Sequence, residues 1–349
     1  MRSFFLAIIA FAAIVLTSCS NKVDLYADEG EHTIVYAVLD PGLDTNYFKI
    51  TKSFLGNAQE LAQNYDANNY KYDELEVKFS GNFIDQILPN GQIISSYYSL
   101  TLDTISRWIP YDANSTFYSG CWQTYYYTTK KLMEDEEYTL EILRKTDNVT
   151  IKSKAKTINN FYFKKPGEGH KIEFKDLNRG TVEWKAKGSV STAAFFEVTA
   201  FFHYKELMPG ATDTVWRSIK WYFGANKAEN LFVQNDLIPH YAIGYVPKTL
   251  YNILSEDEYL LNNSPTGVQR WIEKFEIQIT AIGDILYNYY LVTNSSSAIQ
   301  DVPNYSNIEN GKGIMSTRIT KSIRNKVGER SREKIHDDYR YGFIYEPDK

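Results

Sequence analysis

The chain has 349 residues, with 43 acidic and 38 basic side chains and a formal charge of −5. That mild acidity excludes a general nucleic-acid binder, which needs a basic face to displace counterions. Two cysteines exclude a small disulfide-stapled scaffold, and at roughly 150 residues per domain the length predicts about two domains resting on packed cores.

The N-terminus is the most specific signal. Arg2 precedes an unbroken apolar stretch, Phe4 to Leu16, that closes as Leu16-Thr17-Ser18-Cys19. The stretch is too short to span a bilayer and suits a cleaved signal peptide. It predicts that residues 1–18 are removed, that Cys19 becomes the acylated first residue, and that 19–30 form a tether. Several acyl chains hold a protein to a membrane far more firmly than one, because each buried methylene contributes about 0.8 kcal/mol. The bland alternative is an ordinary secretory signal that happens to contain a cysteine. No later segment is apolar for the ~18 residues a spanning helix requires.

The chain carries 28 tyrosines, 19 phenylalanines and 6 tryptophans, residue types that favour strands. A first short helix is predicted where Asn57 caps Ala58, Leu61, Ala62 and Tyr65, with Glu60 completing a capping box. Phe117, Tyr118, Trp122, Tyr125, Tyr126 and Tyr127 then crowd into eleven residues. On a strand, Cys121, Gln123, Tyr125 and Tyr127 share one face, and Trp122, Thr124 and Tyr126 the other. The favoured reading makes one face core and the other an interface between domains. The sharper one makes Tyr125, Tyr127 and Trp122 a surface for a glycan or a partner protein, since flat rings pack against sugar C–H groups. Glu134 to Glu137 reads as an exposed turn. Tyr138, Leu140 and Ile142 with Val149 and Ile151 read as a hairpin around Lys145 to Asn148.

Lys165-Pro166-Gly167-Glu168-Gly169 is the predicted linker, separating domains at 31–160 and 170–320. In the second domain Val182, Trp184 and Ala186 alternate with charged residues, as do Phe275, Ile277, Ile279 and Ala281 with polar ones. Ala193 to Tyr204, apolar on both sides, predicts a buried strand whose hairpin partner is Val215 to Phe223. Short helices are predicted from Pro247 to Leu254 and from Asp284 to Tyr290. Asn307, Asn310, Gly311 and Gly313 predict a structural loop feeding a last strand that contains Arg318. The alternative is a loop that binds a carbonyl or hydroxyl of a ligand. Residues 321–349, dense in charge, predict a solvated tail. The fold class expected is therefore mainly β, in two domains with a few short helices.

No catalytic pattern emerges. The five histidines are scattered without metal-ligand spacing, and there is no nucleophile elbow or phosphate-cradling loop. No catalytic residue, metal or cofactor is therefore assigned.

Several segments together resemble a known family. They are Val35 to Asp40, Ile50 to Gly56, Tyr72 to Val77, Val182-Glu183-Trp184, Phe202 to Glu206 and, most specifically, Gln300 to Ile314 closing on Ser316-Thr317-Arg318. The chain resembles a family of Bacteroidetes outer-membrane lipoproteins of unknown function, the domain of unknown function 4249 group. Such proteins usually show Phe where this chain has Met315. The resemblance implies an envelope lipoprotein with an N-terminal β-sandwich-like part, and it brings no catalytic residues. The function expected is that of a non-catalytic, lipid-anchored binding or accessory component at the outer membrane, beside a TonB-dependent transporter. A surface glycan- or nutrient-binding role is the alternative, and an envelope hydrolase a third reading with no residue to carry it.

Overall fold

The computed structural model describes residues 31–53, 71–110, 120–174, 179–188, 191–233, 238–294, 305–338 and 341–346. Cys19 and the signal segment lie outside these residues, as do the helix expected at 57–65, Phe117 and Tyr118, and the start of the 300–314 motif.

The chain is mainly β. The first domain is built from β1 (Thr33–Leu39), β2 (Asn46–Lys52), β3 (Leu75–Ile87), β4 (Ile93–Thr101), β5 (Asp103–Ile109), β6 (Cys121–Thr128), β7 (Lys131–Leu132), β8 (Glu137–Arg144) and β9 (Val149–Lys156). The second begins with β10 (Phe161–Lys165), β11 (Lys171–Ile172), β12 (Gly180–Ala186), β13 (Phe195–Leu207) and β14 (Val215–Lys227). It continues through α1 (Ala228–Leu231), β15 (His240–Tyr245), α2 (Thr249–Glu256), α3 (Glu258–Asn262), β16 (Gln269–Ile282) and α4 (Asp284–Asn294). Last come β17 (Ile308–Glu309), β18 (Lys312–Val327) and α5 (Glu329–Asp338).

One sheet runs through both domains in the order β14-β13-β16-β18-β1-β2-β6-β5, with β11 added beside β18. Its neighbours are antiparallel except at β18, which lies parallel to β1 and to β11. A second sheet, β17-β9-β8-β3-β4 with β7 beside β3, packs on the first-domain half of this long sheet. Val35, Ala37, Phe48 and Met315 meet Val77, Phe79, Tyr138, Leu140 and Ile151 there, and the result is a β-sandwich. Alternation explains it, because each strand presents every second residue to one side. A small sheet, β10-β12-β15, packs with α2, α3 and α5 on the second-domain half. Trp184 and Val182 face Phe196, Val198, Phe275 and Ile277 across that second core, and Leu250, Tyr251 and Leu254 enter it from α2.

Three expectations change. The 31–160 and 170–320 division is crossed by the chain, since Ile308 and Met315 return to the first core. The presumed linker is a fixed turn: Asn325 Nδ2 donates to the Gly167 carbonyl at 2.7 Å, and Gly169 N–H donates to the Arg324 carbonyl. The 321–349 segment is no solvated tail. Ile323 and Val327 of β18, Ser331 and Ile335 of α5, and Phe343 beyond it are all buried. The charges alternate with these residues, so one face of each element is wet and the other dry.

α4 lies across β18 on the side away from both cores. At the β16–α4 junction Gly283 fits where a Cβ would stand 2.7 Å from Thr317 Cγ2 on the core side. Leu286 N–H donates to Ser316 Oγ at 2.9 Å, and Ile282, Leu286 and Ile314 form a third, small apolar cluster.

Candidate functional site

Alternation assigns a common outer face to the long sheet. On β18, Met315 enters the first core and Ile319 and Ile323 the second, so Ser316, Arg318 and Thr320 point to the opposite side. The register carries that face across the sheet. Arg318 stands opposite Ile282, which stands opposite Phe195; one step along, Thr320, Thr280, Glu197 and Ala225 form the next row.

Between α4 and this face lies an open cleft of about 770 Å³. Phe195 and Tyr287 stack at one wall, with centroids 4.9 Å apart and an interplanar angle of 20°. Tyr222 from β14 and Tyr290 from α4 also line it, and both are exposed. Glu197, half-buried, accepts a hydrogen bond from Thr199 Oγ1 at 3.3 Å. The Tyr222 phenol is raised in pKa, first by burial and then by the negative charge of Glu197. Arg318 closes the opposite end, exposed, with no hydrogen bond or ion pair among the described residues. The buried Asp40 senses its charge. Burial raises the pKa of that carboxyl, while the Gly42 N–H and the Arg318 and Lys131 charges oppose the rise. Among the described residues the arrangement offers exposed ring faces, a carboxylate with free lone pairs and a guanidinium with free donors. It can bind; among the described residues no group of three or more His, Cys, Asp or Glu is placed to hold a metal ion.

The aromatic cluster divides as the two strand faces require. Tyr125 and Tyr127 share the outer face with Tyr47, at centroid distances of 6.4 and 6.2 Å. The Arg107 guanidinium lies 4.2 Å from the Tyr47 ring centroid, and Tyr125 donates to Gln123 Oε1 at 3.1 Å. Trp122 is on the other face, 63 % exposed, in an edge contact with Trp108 at 5.8 Å. Tyr126, on that same face, packs against the first core. Cys121 is buried. Tyr125 and Tyr127 therefore form one ledge and Trp122 another.

The C-terminal motif residues also separate. Asn307 Nδ2 donates to the carbonyls of Lys154 (3.1 Å) and Met315 (2.9 Å), and its Oδ1 accepts from Met315 N–H (2.9 Å). Asn310, at φ 57°, donates from Nδ2 to the Thr150 carbonyl at 2.9 Å. Gly311 and Gly313 pass β1 closely. These groups tie β18 to β9 and β1, and of the motif residues singled out only Arg318 reaches the cleft. Replacing Asn307 by alanine is expected to cost about 1–3 kcal/mol, the cost of leaving buried backbone groups unpaired. Urea unfolding measures it, with an unchanged far-ultraviolet spectrum before the transition.

Other candidates are engaged elsewhere. His336 Nδ1 lies 2.7 Å from the Phe343 carbonyl. His203 sits beside Glu276 at 3.4 Å, and its pKa is lowered, first by burial and then by Lys274. Glu197, Tyr222, Tyr287 and Tyr290 were not anticipated. The available signal was the alternation of β13 and β14, which puts Glu197 and Tyr222 opposite the core residues, together with tyrosines on both sides of α4. No family model matches the chain. No curated protein matches it either.

Proposed function

We propose that the protein is a lipid-anchored outer-membrane lipoprotein, held by acyl chains on Cys19, that serves as a non-catalytic binding component of an envelope complex beside a TonB-dependent transporter. The observation that supports this reading is the outer face of the long sheet. Tyr36 is exposed on β1, the Tyr47–Tyr125–Tyr127 ledge with Arg107 follows on β2, β6 and β5, and Trp216 and Tyr222 are exposed at the far end on β14. Tyrosine, tryptophan and arginine are the residues enriched where proteins meet. A tether would raise the local concentration of this face near a membrane partner, so a weak interface suffices.

The test is affinity purification from the native envelope in mild detergent with Cys19 intact. A stoichiometric membrane protein is expected to co-purify and to be lost from a Tyr47→Ala/Tyr125→Ala variant; a protein that emerges alone counts against the complex. Cys19→Ala is expected to move the protein from the membrane to the soluble fraction, as fractionation and blotting would read. A surface glycan-binding role is the second reading, favoured by one specific observation: the tyrosine-walled cleft beneath α4.

A further inference from the structure

The cleft beneath α4 has walls of two origins. The sheet contributes Phe195, Glu197, Tyr222 and Arg318, and the helix contributes Tyr287 and Tyr290. Its size falls in the range of about 300–1,000 Å³ typical of small-ligand sites, and it is open to solvent. Tyr222 and Tyr290 are 55 % and 44 % exposed, so ring surface remains for a ligand. Phe195 and Tyr287 are stacked on one another, so that wall is braced before anything binds.

The polar groups are few and separated. Arg318 lies two strands and two residues away from Glu197, roughly 12 Å between Cα positions at ordinary sheet spacings. One end of the cleft is cationic and the middle is a hydroxyl acceptor. A purely apolar ligand would strip water from both charges without replacing it. A nucleotide or other phosphate-rich ligand would bring its charge onto Glu197 as well as Arg318. A pyranose meets every requirement: its C–H faces pack on tyrosine rings, and its vicinal hydroxyls donate to a carboxylate. The guanidinium at the end remains unpaired by a neutral sugar, and a carboxylate-bearing sugar supplies the planar, bidentate partner that it fits best.

We propose that this cleft binds a short acidic oligosaccharide, with Tyr222 and Tyr290 packing on pyranose faces, Glu197 and Thr280 accepting and exchanging hydroxyl hydrogen bonds, and Arg318 pairing with a sugar carboxylate. The assignment rests on the glycan reading and is independent of any membrane complex.

The test is calorimetric titration of the mature protein with trigalacturonic acid, a hyaluronan tetrasaccharide and sialyllactose, each beside its carboxyl methyl ester. At about 1 mM ligand a dissociation constant in the millimolar range registers. At least one acid is expected to bind, and Arg318→Gln is expected to weaken it about ten- to a hundredfold while leaving the ester's weaker binding unchanged. Tyr222→Ala and Tyr290→Ala are expected to weaken acid and ester alike, with unchanged melting temperature. Equal binding of acid and ester, indifferent to Arg318→Gln but sensitive to the tyrosines, would overturn the acidic class and leave glycan binding standing. Absence of binding by every probe, or binding that survives all three substitutions, would overturn both.

Discussion

Replacing Arg270 by alanine is expected to lower the free energy of unfolding by about 3–5 kcal/mol, the cost of stranding one member of a buried ion pair. Arg270 and Glu206 are 0 % and 1 % exposed, and their closest contact is 2.6 Å. The surroundings are saturated. Arg270 also donates to Ser264 Oγ, the Asn263 carbonyl and the Tyr341 carbonyl, while Glu206 accepts from Tyr259 (2.6 Å) and Arg217 (3.2 Å). Removing the guanidinium leaves a carboxylate in a dry site and three acceptors unpaired. Burial alone raises the pKa of Glu206, but the hydrogen bonds from Tyr259 and Arg270 and the arginine charges outweigh it, so the folded value lies below the ordinary glutamate range. The stabilisation is therefore complete above that range and is lost as pH falls through the depressed folded value. In Arg270→Ala the balance reverses: burial raises the folded Glu206 pKa, protonation relieves the penalty, and the stability gap to the parent protein is expected to narrow as pH falls. Urea titrations across the acid range give both quantities. A Glu206→Leu/Arg270→Met double variant is expected to recover only the part of the loss due to the stranded carboxylate, because the Ser264, Asn263 and Tyr341 acceptors stay unpaired in both variants. Equal stability of Arg270→Ala and the parent would refute the account.

Gly313→Ala is expected to cost about 3 kcal/mol or more, combining backbone strain with overpacking. Gly313 has φ +106°, where an L side chain is strained, and a Cβ there would penetrate the Val35 carbonyl, which belongs to the backbone of β1. A rotamer change cannot relieve that contact. Gly210→Ala provides the comparison, since φ is +82° there and nothing stands within 4 Å of the added carbon. It isolates the backbone component and is expected to cost about 1 kcal/mol. Thermal unfolding ranks the two. Because Val35 and Gly313 pair at the seam between β1 and β18, hydrogen exchange should quicken in both domains for Gly313→Ala and only locally for Gly210→Ala.

Much of the second domain was legible in the sequence. Val182, Trp184 and Ala186, and Phe275 to Ala281, alternate so regularly that strand and buried face follow together. The β13–β14 hairpin was legible because its apolar arms flank turn-forming residues, and α2 because Leu250, Tyr251 and Leu254 recur at helical spacing. The parallel closure of β1 on β18 had no local signal, since nothing near Val35 encodes a partner near Gly313. The C-terminal segment was hidden by its charges. Arg324 and Lys326 dominate its composition, yet Ile323, Asn325 and Val327 between them are buried, and Ser331 and Ile335 repeat the pattern at helical spacing. The cleft was illegible for a related reason. Arg318 stood out as part of a motif, but Glu197, Tyr222 and Tyr290 reach it from three other elements, and only tertiary structure brings four such distant residues together.

β18 has a consequence for how the molecule is made. Its 16 residues place Met315 in one core and Ile319, Ile323 and Val327 in the other. A chain emerging N-terminus first presents β1 with an open edge long before the strand that fills it has appeared, and contacts so distant in sequence form slowly. Neither core is complete without β18. A truncation that removes β18 is therefore expected to destabilise both cores rather than the last domain alone, as proteolysis of the shortened protein would read.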